Sequence, residues 1–425
     1  MILIFWGKWV GVLFLFLVTS TLCDSVLAAE ICGAAGFVKT TINSLSRSVY
    51  VVKADKQLVP VVRPNTYPAQ VNDYRGNLPV PCVSGKLGVA DVGVVINTND
   101  PYSVAVGDYY VQKRAIPSNN VLKIAIPVVY ELNPAQLNVI RGQIDAFFGN
   151  RVQALALVWR SPFAVSDNGG ANPIAYSGCN ASITSAVTFG YRVPCSIGVE
   201  DWSDRFGNYF GYFNSSSGSP YKDFGIRISM LLAARTVEAA RSLIDRGVLA
   251  DGYMKSHASD TAQLHFLQTS DSVRSKRRSM YPSVGGGVRG VPLNINIDKF
   301  DFLQGASSVM WYATGTPVVA NLSTNSFLPG AIGDNLTSSG GLMDLNSSPA
   351  AVGYQTNGFD WVDAGVTAMY GTTSEPLAFS EKFPNPNVLY GMYVQGVTLI
   401  EALWKSVQYP IQGLFVGEPL ASPFE

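Results

Sequence analysis

Apolar residues in this chain gather into short unbroken runs, each followed by turn residues and then by a stretch of helical periodicity. Val92 to Ile96 is apolar and rich in β-branched residues, and it stops at Asn97-Thr98-Asn99-Asp100-Pro101. A run of that length between turn residues predicts a strand buried on both faces of a parallel sheet. Asn99 or Asp100 is placed to cap a helix whose first turn accommodates Pro101. Val104, Gly107, Asp108 and Val111 fall at helical spacing, and Arg114-Ala115-Ile116-Pro117 closes the segment before a second strand, Val121 to Ile126. A helix from Asn133-Pro134 through Phe148 follows, with Leu137, Ile140, Ile144 and Phe147 or Phe148 on one face, and Val152 to Trp159 forms a third buried strand. Strand, helix, strand, helix, strand with right-handed crossovers predicts three runs lying side by side and pointing the same way. The turn after the first of them sits where open α/β sheets place ligands.

Beyond this unit the pattern loosens. Residues 161–224 are dominated by Gly, Asn, Ser and Tyr and read as an insertion of loops and hairpins. Their aromatics (Tyr191, Trp202, Phe206, Tyr209, Phe210, Tyr212, Phe213) either form a carbohydrate or peptide platform or pack the insertion. Thr236 to Arg246 predicts a helix ended by Gly247. Ala262 to Leu267, Leu293 to Ile297 and Ser307 to Ala313 read as strands, and Asp271 or Ser272 caps a helix bearing Arg274, Lys276, Arg277 and Arg278 as a solvated basic face. No internal repeat is visible. The expected class is therefore α/β, a mostly parallel sheet with helices on both faces, extending over residues 89–425.

Composition adds a setting. Lysines and arginines equal the acids, 30 against 30, so nothing points to nucleic acid or an anionic membrane as partner. Lys8, the apolar stretch Trp9 to Val18 and the small residues Ala28 and Ala29 read as a signal peptide over residues 1–28, which predicts export to the periplasm or beyond. No later segment has the length of a membrane span. Residues 29–88, with Pro60, Pro64, Pro68, Pro79 and Pro81, read as an N-terminal arm. Cys32, Cys82, Cys179 and Cys195 remain in the mature chain; of three possible pairings, the short loop favours Cys179 with Cys195, which leaves Cys32 for Cys82. No cysteine pair has metal-ligand spacing, and no motif implies a cofactor.

The richest chemistry is C-terminal, in Pro329-Gly330-Ala331-Ile332-Gly333-Asp334-Asn335-Leu336-Thr337-Ser338 and in Tyr370-Gly371-Thr372-Thr373-Ser374-Glu375-Pro376, where glycines let backbone amides and carboxylates converge. With VVINTNDPYSVAVGDYYVQKRAIPSNNV, LIDRGVLADG, SDSVRSKRR, WVDAGVTAMYGTTSEP, EKFPNPNVLYGMYVQGVTLIEALWKSV and GLFVGEPLASPF, these stretches resemble a family of exported bacterial proteins found in genomes that carry exosortase, the membrane transpeptidase of a protein-sorting system. The resemblance runs from about Asp91 to Phe424. It implies an envelope location and association with exopolysaccharide and sorting loci, and it implies no particular reaction. Relatives often have a histidine where Asn335 stands and a cysteine where Leu377 stands, so chemistry that needs either group is not carried over.

The strand order and the DYYVQKRAIPSNNV stretch are also distantly similar to caspase-like cysteine peptidases such as legumain and gingipain, which place a histidine after the third strand and a cysteine after the fourth. Here the third strand runs out at Trp159-Arg160-Ser161-Pro162, and residues 226–235 contain no cysteine. The chain has two histidines, His257 and His265, neither in a recognisable setting. What remains is a set of acids and hydroxyls expected at one shared rim: Asn97, Asn99 and Asp100 for binding after the first strand, Arg160 after the third, and Asp334, Ser338 and Glu375 as candidate acid, base or nucleophile groups. Two functions follow: a non-catalytic envelope protein binding a peptide or polysaccharide, or a hydrolase or transferase using the carboxylates and hydroxyls of the C-terminal sheet edge.

Overall fold

A computed structural model describes residues 49–52, 58–61, 80–167, 180–192, 211–282, 292–345 and 353–425. A two-stranded hairpin, Val49–Val52 (β1) and Leu58–Val61 (β2), comes first. The remaining strands are Val92–Asn97 (β3), Val121–Ile124 (β4), Glu131–Leu132 (β5), Ala154–Val158 (β6), Ala164–Val165 (β7), Ala181–Ser182 (β8), Ile228–Leu231 (β9), Ala262–Leu267 (β10), Leu293–Asp298 (β11), Val309–Thr314 (β12), Phe327–Asn335 (β13), Ala368–Thr372 (β14) and Gly413–Gly417 (β15). Ten of them form one sheet in the order β11-β10-β12-β13-β14-β15-β9-β6-β3-β4, while β5, β7 and β8 make a small satellite sheet. The helices are Pro101–Arg114 (α1), Pro134–Phe148 (α2), Ile183–Phe189 (α3), Pro220–Phe224 (α4), Val237–Ala250 (α5), Tyr253–Ser256 (α6), Gly358–Ala364 (α7), Pro386–Tyr393 (α8) and Leu399–Ser406 (α9). One layer contains α1, α5 and α7; the other contains α2, α3, α8 and α9. The fold is thus α/β, a large and mostly parallel sheet between helices.

The three runs read from the sequence behave as expected: β3 pairs in parallel with both β4 and β6. The sheet as a whole, however, is two parallel blocks running in opposite directions. Strands β4, β3, β6 and β9 share one direction with β15, whereas β10 to β14 share the other, and the reversal falls where β14 pairs antiparallel with β15. Each block repeats one spatial order, second strand, first, third, fourth: β4-β3-β6-β9 and β11-β10-β12-β13. This repeat of topology has no counterpart in the residue pattern.

Local chemistry explains most elements. Asp100 caps α1 by accepting from the Tyr102 amide at 3.0 Å, and Asn133 and Gln136 cap α2 reciprocally. The buried face of α1 is Tyr102, Ser103, Val106, Gly107, Tyr110 and Arg114; of the residues read at helical spacing, Gly107 is buried, Val104 and Val111 are half-buried against the core and Asp108 is exposed. Gly247 does not end α5, which continues to Ala250. A side chain there would overlap the Glu418 carboxylate, so the glycine is a close approach between helix and chain rather than a stop. Similarly, the glycine-containing stretch around Asp334 is the long strand β13; a Cβ at Gly333 would overlap Trp361 of α7. Part of the supposed insertion is core: α3 lies on β9 and β15 with every residue buried.

Tyr212 is buried and Tyr191 and Phe213 are half-buried against the core, so these three serve packing; Trp202, Phe206, Tyr209 and Phe210 lie outside the described residues. So does the segment read as a signal peptide, along with Cys32, Cys179 and Cys195. Cys82 is buried and disulfide-bonded. Among the described residues, no helix is long and apolar enough to cross a membrane.

Candidate functional site

Opposite strand directions separate the residues read as one rim. Asn97 ends β3 and Arg160 follows β6, at the edge where β9 and β15 also end. Asp334, Ser338 and Glu375 lie at the ends of β13 and β14, on the opposite edge. Five strand intervals also lie between β3 and β13, which at about 4.8 Å each amounts to roughly 24 Å across the sheet. Asn99, Asp334 and Glu375 therefore do not converge on one reacting centre.

On the first rim the candidates are committed locally. Asn97 is buried, and its side-chain oxygen accepts from the amides of Asn99 and Ile126 at 3.0 and 2.9 Å. Asn99 donates to the Ile126 carbonyl, and Asp100 serves as the α1 cap. Arg160 lies over the Tyr102 ring, 4.2 Å from its centroid, and donates to the Arg235 carbonyl. The neighbouring Arg235 pairs with Asp360 and Asp363 of α7, both at 2.7 Å, which fastens this edge to the second block.

The second rim is more varied. Side chains alternate along β13, so with Gly333 against α7 the Asp334 carboxylate faces the other layer. There it is fully buried and accepts from Arg277 Nη1 at 2.8 Å, and burial holds its carboxyl above the usual range against the opposing pull of Arg277. Arg277 also donates to the Pro384 carbonyl. The segment Arg274–Met280 is a 3-10 helix rather than a solvated α-helical face, and Arg277 points inward while Lys276 and Arg278 are exposed. Ser338 is half-buried and its carbonyl accepts from the Thr372 hydroxyl at 2.9 Å. Glu375 is half-buried and accepts from the Leu377 amide at 2.7 Å, folding its carboxylate onto its own turn.

Sequence reasoning overlooked Lys382. It is buried, donates from Nζ to Gln412 Oε1 at 2.6 Å, and its pKa is pushed down to about 8 by burial, with the carboxylates of Glu375 and Glu381 acting against that shift. Gln412 in turn donates to the Ser374 hydroxyl and the Glu375 carbonyl, each at 2.9 Å. Lys382, Gln412, Ser374 and Glu375 thus form one hydrogen-bonded group where β14 ends and β15 begins. An amine in this state holds and releases a proton near neutral pH, the property that suits a lysine to acid-base work or to holding an acidic ligand. No motif marks it, since a lone lysine beside aromatics carries no spacing signal.

The histidines are remote from this group in character. His257 is exposed and stacks on Tyr253, and His265 pairs with Asp298 at 3.0 Å. Among the described residues, no three His, Cys, Asp or Glu side chains are grouped so as to hold a metal ion.

A second buried lysine, Lys405, sits away from the rim. Its ammonium donates to the carbonyls of Ser215 and Ser217 at 2.7 and 2.6 Å, with Glu401 and Asp223 supplying negative charge nearby, and burial pushes its pKa down to about 7. The unfolded chain therefore holds this proton up to its ordinary pKa, near 10.4, while the folded chain releases it near 7. Stability from this group rises with pH across that window and is lost as pH falls through 7, by at most about 1.4 kcal/mol per pH unit. Urea unfolding of Lys405→Met between pH 7 and pH 9 is expected to show a flatter rise than the parent; an unchanged slope would mean that Lys405 titrates normally.

No family model, curated protein or solved structure matches the chain.

Proposed function

We propose that this is an exported envelope protein that binds a peptide or a polysaccharide without turning it over, in association with an exosortase and exopolysaccharide system. The observation that supports a binding role most directly is the commitment of the acids singled out in the sequence. Asp334 is sealed in an ion pair, Glu375 is folded onto its own backbone, and Asp100 caps a helix on the opposite rim from both. The repeated strand order adds support. If each block is compared with a caspase-like unit, the third strand of the second block ends at Thr314-Gly315 and its fourth at Asn335-Leu336. Neither place holds the histidine or cysteine such peptidases need, as neither did in the first block.

The ligand site in this reading is the rim of Lys382, Gln412, Ser374 and Glu375, where a buried amine favours a ligand bearing carboxylates. The test is titration of the purified chain with envelope peptides and acidic exopolysaccharide, following both binding and product formation. Saturable binding without products, weakened at least tenfold by Lys382→Met, is the expected result. Turnover that Glu375→Gln abolishes would overturn it.

A further inference from the structure

Of eleven large apolar side chains exposed among the described residues, six (Val273, Phe300, Phe302, Val318, Leu345 and Leu377) lie in segments that follow the strands of the second block. Because β10 to β14 run in parallel, those segments all emerge at one edge of the sheet. Four of the six belong to three adjacent loops: Val273 at 60 % exposure after β10, Phe300 and Phe302 at 45 % and 40 % after β11, and Val318 at 46 % after β12.

These loops are braced to one another. The Ser270 amide and hydroxyl donate to the two Asp301 oxygens at 2.6 and 2.8 Å, joining the first loop to the second. Thr269 donates to the Gly315 carbonyl at 2.7 Å, and Gly315 lies so close to the Arg274 backbone that a Cβ would overlap it, which joins the first to the third. The Leu303 amide donates to the Tyr312 hydroxyl, and Gly305 and Ala306 are held by Thr324 and Asn325. Apolar side chains held in water by a braced scaffold mark a contact surface.

Among the described residues, the exposed charges on the same crest are mostly positive, three cations against the single acid Asp301. Lys276, Arg278 and Lys299 are all exposed, and Lys276 reaches across to Phe379 in the segment after β14. Of the acids in these loops, Asp271 pairs with Arg274, Asp344 and Glu375 are half-buried and accept from Tyr130 and the Leu377 amide, and the exposed Asp301 is turned onto the Ser270 amide and hydroxyl. Apolar tips flanked by cations match the order of layers in an anionic bilayer, with hydrocarbon beneath negatively charged headgroups. A bound peptide would instead need neighbouring pockets that seat its side chains in register. Here the apolar groups stand on three separate loops of one crest, an arrangement to which a fluid surface conforms.

We propose that this crest is a membrane-docking surface that seats the protein on anionic phospholipid through Val273, Phe300, Phe302 and Val318, with Lys276, Arg278 and Lys299 at the headgroups. The proposal is independent of what the Lys382 rim binds. Its test is flotation of the full chain with phosphatidylcholine vesicles and with mixed phosphatidylcholine and phosphatidylglycerol vesicles. The mixed vesicles are expected to bind about tenfold tighter, in a salt-sensitive manner, and Lys276→Glu with Lys299→Glu is expected to erase that preference. Phe300→Ser with Phe302→Ser should remove most of the binding while leaving the melting temperature unchanged, and Val128→Ser with Val129→Ser, exposed after β4, should leave it intact. Equal binding to both vesicle types, full binding by the phenylalanine variant, or equal loss in the Val128 and Val129 variant would each overturn the assignment. So would saturation of the crest by a peptide of alternating Asp and Leu while vesicles fail to bind.

Discussion

Glu418→Ala is expected to lower folding stability by about 3–5 kcal/mol. Glu418 is fully buried just beyond β15, and Arg114 of α1 grips it twice, from Nε at 3.0 Å and from Nη2 at 2.6 Å. Tyr110 donates to the same carboxylate at 2.9 Å, and Arg114 also pairs with Asp251 and donates to the Gly247 carbonyl. Removing the carboxylate takes the acceptor from the Tyr110 phenol and leaves the guanidinium held by Asp251 and the Gly247 carbonyl alone, and this half-compensated buried charge accounts for most of the cost. A double variant, Arg114→Met with Glu418→Leu, removes both charges and should recover much of that loss in a denaturant titration. If the double variant is as unstable as Glu418→Ala, the cost comes from lost shape rather than from the stranded charge.

Asp334→Ala is expected to have a similar cost, about 3–5 kcal/mol, because it strands Arg277 in the core of the second block. The outcome also bears on function. If Asp334 served as a catalytic acid, Asp334→Asn would retain the fold and lose turnover. As one half of a buried pair, it should instead lower stability in Asp334→Ala and recover it in Asp334→Leu with Arg277→Met, with ligand binding at the Lys382 rim retained by the double variant. Calorimetric melting of the three variants, read beside a binding titration, separates the two roles. Loss of binding by a well-folded double variant would show that the pair belongs to the site.

The sequence discloses what is local. The capped starts of α1 and α2, the buried runs β3 and β6 and the strand near Ala262 were all legible, because capping residues and unbroken β-branched runs act over a few positions. Glycine misled in two places for one physical reason. Gly247 was read as a helix stop and the stretch around Gly333 as a place where amides and carboxylates converge, yet each glycine lies inside a regular element, where the missing Cβ makes room for Glu418 or Trp361 from far along the chain. The direction of the second block was not legible, since it depends on which edge β15 joins, a long-range pairing that no local pattern encodes. That direction decides the candidate site: Asp334 and Glu375 look like neighbours of Asn99 only while every strand is assumed to run one way. Lys382 went unseen because its significance comes from burial and from Gln412, thirty positions away.

The placement of β15 carries a consequence for how the molecule is made. Residues 413–417 form the seam between the two blocks, yet they are synthesised after every other described strand. Until they arrive, β9 and β14 each present a bare hydrogen-bonding border, and such borders recruit stray strands. The nascent protein thus passes through a stage in which two part-built sheets wait to be zipped together, and its need for a holding chaperone should be greatest just before the seam closes.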